Sequence, residues 1–71
     1  MDEDTERKAL VYDIKSALKS TDHTVATFAP KCREAGLLAV GTQLASAPIE
    51  DLRTIAANVG DIVAGDYIPL N

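Results

Sequence analysis

Nothing in this sequence can staple the fold together. Its 71 residues hold one cysteine, Cys32, and one histidine, His23. A single cysteine closes no intramolecular disulfide, and one Cys with one His falls short of a structural zinc site. A chain of this length fits one domain, and so small a domain buries a limited share of its surface. Its stability must come from closely packed helices or from association with a second chain. The composition is 46% hydrophobic with only two tyrosines and one phenylalanine, so the core rests on Leu, Ile, Val and alanine.

The pattern predicts an all-α bundle of three to four short helices over residues 1–65, followed by an extended tail over 66–71. The first helix is expected over about 4–19. Leu10, Val11, Ile14, Ala17 and Leu18 form one stripe at helical period. Asp2, Glu3, Asp4 and Glu6 lead it while Lys15 and Lys19 close it, which suits the helix dipole. Glu3–Arg7 and Asp4–Lys8 are spaced as i,i+4 ion pairs. Ser20-Thr21-Asp22 reads as a break that offers capping oxygens to the next helix.

The second helix is expected over 24–35 with its stripe on Val25, Phe28, Ala29, Cys32 and Ala35. Pro30 lies inside it, so the segment is either kinked there or begins near Thr27 after a turn. The stripe keeps phase across the proline, which favours a bent but continuous helix. Gly36 suits the left-handed C′ position, with Leu37 touching Cys32 in a Schellman closure. Residues 37–45 are apolar on nearly every side and read as a short buried helix. A strand over 37–44, giving an α+β fold, is the rival, because periodicity cannot separate the two.

The last helix is expected over 48–64. Ser46-Ala47-Pro48 supplies a cap and a first-turn proline, and Gly65 supplies a stop. Ile49, Leu52, Ile55, Ala56, Val59, Ile62 and Val63 make an apolar arc broader than one small neighbouring helix can cover. The tail Asp66-Tyr67-Ile68-Pro69-Leu70-Asn71 is expected to be extended, since a residue before proline avoids helical geometry.

Catalytic chemistry finds little support. Cys32 lies on the core stripe and His23 on the outer face, so the two point apart and form no nucleophile–base pair. A buried thiol acting as a small hydrophobe and a solvated imidazole are the plainer readings. The acids cluster at helix N-termini, where the dipole alone accounts for them. The glycines at 36, 41, 60 and 65 match no phosphate-cradling loop. No catalytic, cofactor or metal site is therefore expected. The acidic opening has no apolar run behind it and does not read as a signal peptide, and no segment is long enough to span a membrane. A cytoplasmic or otherwise intracellular setting is expected.

The net charge of −4 argues against broad phosphate binding. One DNA-binding alternative stands: a helix-turn-helix pivoting at Gly36, with 38–45 as recognition helix, acting as a multimer in regulation or virus DNA packaging. Thr42 and Gln43 would face bases while Lys31 and Arg33 would touch phosphates. The favoured expectation is a non-enzymatic protein–protein interaction module: an adaptor, inhibitor or assembly component. It would associate with itself or an unidentified protein. The surfaces proposed for this are Tyr12, opposite the first helix's apolar stripe, the arc Ile49, Leu52, Ile55, Val59 and Ile62, and the tail residues Tyr67, Ile68 and Leu70.

Overall fold

Asp2 starts the first helix earlier than the hydrophobic pattern suggests. In the computed structural model, which describes residues 2–68, its carboxylate accepts the Thr5 amide at 2.8 Å and caps α1, Glu3–Ser20. That bond holds the Asp2 carboxyl below its ordinary range. Glu3, Asp4 and Glu6 occupy the first turn and Lys19 the last, as the dipole favours.

The helix closes on its own side chains. The Ser20 hydroxyl donates to the Ser16 carbonyl, and the Thr21 hydroxyl to those of Ala17 and Leu18. Asp22 takes a left-handed φ of 63°, a conformation aspartate tolerates better than most residues. This lets the His23 amide reach the Leu18 carbonyl at 2.8 Å. Ser20-Thr21-Asp22 thus finish α1 and do not cap its successor. The cap of α2, Val25–Glu34, is Thr24, paired with Thr27 in a capping box.

α2 runs unbroken through Pro30, whose ring lies exposed on the outer face. Proline has no N–H to give the Ala26 carbonyl, and Ala26 is exposed too, so water can reach that acceptor. Gly36, at φ +77°, ends the helix in the expected Schellman geometry. Its amide bonds the Arg33 carbonyl at 3.1 Å, and the Leu37 amide bonds that of Cys32 at 2.9 Å.

The structure departs from expectation over 37–45, which forms neither the expected helix nor the rival strand. Gly36 and Gly41 both sit at positive φ, +77° and +85°, where no right-handed helix can continue. The segment is a looped turn closed by a Thr42 amide to Ala39 carbonyl bond of 3.1 Å. A short 3-10 turn, Leu44–Ser46, follows. Leu38 and Leu44 anchor the loop in the core, while Val40 points outward at 92% exposure.

The expected helix over 48–64 is two helices, α3 Ile49–Ala57 and α4 Val59–Ala64. Asn58 breaks it, at φ −129° and ψ 23°. Its side-chain amide donates to the Thr54 carbonyl at 2.7 Å, taking the acceptor a continuing helix would give to its own backbone. The Asn58 backbone N–H turns instead to Ile55, at 3.1 Å. Gly65, at φ +79°, stops α4.

No strand occurs among the described residues, and the architecture is an all-α bundle. α1 packs chiefly on α3, and α4 reaches both α1 and α2. Phe28, Ile14, Leu18, Leu52, Ile55 and Cys32 form the fully buried centre. The break at Asn58 explains the broad arc of the last segment. α3 and α4 face α1 and α2, so the chain buries Leu52, Ile55, Val59 and Ile62 by itself, while Ile49, Ala56 and Val63 stay half-buried.

Three arginines tie distant parts together. Arg53 holds Glu6 through two bonds of 2.7 and 2.8 Å, joining α3 to α1 and keeping the Glu6 carboxyl below its usual range. Arg33 donates to the Thr42 carbonyl at 3.3 Å. Arg7 donates to the carbonyls of Ala45, at 3.1 Å, and Ala47. A bond from a charged donor is worth about 1.5–3 kcal/mol; both of these come from one Arg7 nitrogen and that to Ala45 is exposed, so Arg7→Ala should destabilise by about the worth of one. It should lower the urea midpoint without changing the slope; an unchanged midpoint would show that the two bonds carry no net weight.

Candidate functional site

Lys8, Tyr12 and Lys15 are exposed on α1 at i, i+4 and i+7 and form one stripe, bordered by Val11, which is half-buried against the core. Tyr12 is 71% exposed, away from the core stripe of the same helix. Beside it lie two adjoining depressions. One, of about 300 Å³, is lined by Arg7, Lys8 and Tyr12. The other, of about 420 Å³, extends to Val25, Ala29 and Leu44 and to Arg33. Val11, Lys15 and Ala45 line both, which makes them one groove between α1, α2 and the 3-10 turn.

Its charges share one sign. Arg7, Lys8, Lys15 and Arg33 line the groove, and no carboxylate does. The arginines are held at their tips by backbone carbonyls, although Arg33 Nε is buried without a partner. Glu3–Arg7 forms at 3.6 Å, whereas the expected Asp4–Lys8 pair does not. Among the described residues, neither Lys8 nor Lys15 has a carboxylate within ion-pair distance.

The other expected surfaces fare differently. Leu52, Ile55, Val59 and Ile62 are buried in the chain's own core, because α3 and α4 turn them onto α1 and α2. They present nothing outward. Ile49 is half-buried against the core. Tyr67 is half-buried and packs on the same core, while Ile68 is 79% exposed. Leu70 lies outside the described residues.

The residues of the DNA-binding alternative do not assemble as that reading requires. Its recognition helix is replaced by the loop over 37–43. Arg33 and Gln43 line the groove and Arg33 is bonded to Thr42, but Lys31 faces a separate depression with Glu34 and Tyr67. Cys32 is fully buried, and burial pushes its thiol up to about 11, so it stays protonated at neutral pH. His23 Nδ1 lies 2.7 Å from the Thr21 carbonyl in the α1–α2 connection. No metal-ligand cluster occurs among the described residues, and no helix there is long and apolar enough to cross a membrane.

Sequence reasoning singles out Tyr12 but misses the groove beside it, because the second wall comes from Ala45, Leu44 and α2. Compared with known proteins, the chain matches no family, and no curated protein or solved structure is significantly similar to it.

Proposed function

We propose that this chain is a non-enzymatic protein–protein interaction module. The observation that carries the reading is the groove itself: an apolar floor, an exposed aromatic on its rim and cations around it. Tyrosine and arginine are favoured at interfaces because each joins a large contact area to a polar end. A reducing, intracellular setting suits a chain with one buried thiol.

Self-association belongs to the same reading, with a change of surface. A second copy would have to meet the molecule away from the inward residues of α3 and α4.

Photo-crosslinking tests the module in the cells that make it. Tyr12→p-benzoylphenylalanine should give discrete covalent adducts, and the same group at the exposed Ala57 should not. An adduct of twice the chain's mass identifies a second copy as the partner. Absence of adducts at position 12, or the same adducts from both positions, would overturn the reading.

A further inference from the structure

We infer that the groove between α1 and α2 receives an acidic amphipathic helix from a partner protein, an assignment that rests on the interaction-module reading above. The first argument is charge. The chain is acidic, at net −4, yet four of its seven Lys and Arg residues surround this one depression and no Asp or Glu does. Such a field favours a ligand of opposite sign and repels a basic one.

The second argument is shape. The floor is Val11, Val25, Ala29 and the edge of Leu44, and the small side chains of Ala26, Ala29 and Ala45 let a helix backbone approach closely. No sheet edge is present among the described residues to hydrogen-bond an extended strand, and the small-residue apolar floor suits the helix-in-groove mode. Arg7 to Lys15 spans about 12 Å at 1.5 Å per residue, a little over two helical turns. The ligand therefore needs apolar anchors at i, i+3 or i+4, and i+7, flanked by carboxylates about two turns apart to meet Lys8 and Lys15.

A second copy fits this groove poorly. Antiparallel pairing of two α1 helices about Val11 and Tyr12 sets Lys8 of one copy against Lys15 of the other, and like charges repel. A nucleic acid fits poorly too. Of the four cations that line the groove, Arg7 and Arg33 are engaged by carbonyls and Arg7 also by Glu3, and the two lysines left over an apolar floor make few phosphate contacts.

The test uses the full chain, isotope-labelled, followed by its amide resonances. The probe is a synthetic amphipathic peptide of about four turns, with Leu on one face and Glu on the other. Comparison probes are the same peptide with Lys for Glu and a short oligothymidylate. The acidic peptide should shift Val11, Lys15, Ala29 and Ala45, and the double variant Lys8→Glu/Lys15→Glu should bind it on the order of tenfold more weakly. Both lysines are exposed, so circular dichroism should report an unchanged fold. Lys31→Glu, outside the groove, should bind as the parent does. Equal or tighter binding of the basic peptide or the oligothymidylate at these residues would overturn the assignment, as would parental affinity in the double variant. Failure of the acidic peptide while the position-12 crosslink persists overturns the acidic-helix assignment alone. Loss of both removes the interaction reading with it.

Discussion

Phe28→Ala is expected to leave most molecules on the edge of unfolding at room temperature. Phe28 is the chain's one phenylalanine and is fully buried among Ile14, Leu18, Leu52 and Ile55. Truncating a buried phenylalanine costs about 3–5 kcal/mol, from lost transfer energy plus the cavity left behind. A domain of this length has roughly 4–10 kcal/mol in total, at about 0.05–0.15 per residue. One side chain thus accounts for a large share of the stability. Urea unfolding followed by circular dichroism would show it, and Phe28→Leu, which keeps most of the volume, should lose less than about 1.5 kcal/mol. Parental stability in Phe28→Ala would mean that the core is not organised around this ring.

The opposite sign is expected at Pro30. The backbone is already helical there and the ring faces out, so no packing is lost on replacement. Pro30→Ala restores an amide for the Ala26 carbonyl and removes the ring's crowding of the preceding turn, against a helical penalty for proline of about 3 kcal/mol. The alanine chain is freer when unfolded, which offsets about 0.4–1 kcal/mol of the gain. A net stabilisation of about 2 kcal/mol should raise Tm by roughly 8–16 °C in a domain this small. A fall in Tm would show that α2 needs the shape proline imposes in order to meet α4.

Much of this fold is legible in the sequence where local chemistry decides the outcome. The stripe Leu10, Ile14 and Leu18 gives α1, and Gly36 and Gly65 mark helix ends where a left-handed residue is required. Cys32 is placed inward by the stripe it shares with Phe28. The misreadings share a physical origin. Residues 37–45 are apolar but for Thr42 and Gln43, and a run without period cannot show that Gly36 and Gly41 turn it into a loop. At Asn58 the apolar spacing keeps phase across the break, so only the competition of its side chain for the Thr54 carbonyl reveals the corner.

The breadth of the arc from Ile49 to Ile62 was a real signal. It reports two helices, α3 and α4, with two neighbours, α1 and α2, in the chain's own core. The groove was half visible, since Lys8, Tyr12 and Lys15 follow from helical spacing alone. Its other wall depends on where the tertiary fold carries Ala45 and Arg33. The ties from Arg7 to Ala45 and Ala47, and from Arg53 to Glu6, likewise join residues too far apart in the chain for any local pattern to predict.

The packing of α1 on α3 rather than chiefly on α2 sets the order in which the chain can gain energy as it folds. Helices form within microseconds, but α2, α3 and α4, at 10, 9 and 6 residues, are too short to be stable on their own in water. The main contact joins segments separated by roughly thirty residues, and closing such a loop costs about 3 kcal/mol from chain entropy before any burial compensates. Docking of the first helix onto the third is therefore the expected bottleneck, and this bundle should fold more slowly than one whose sequential helices pair as hairpins.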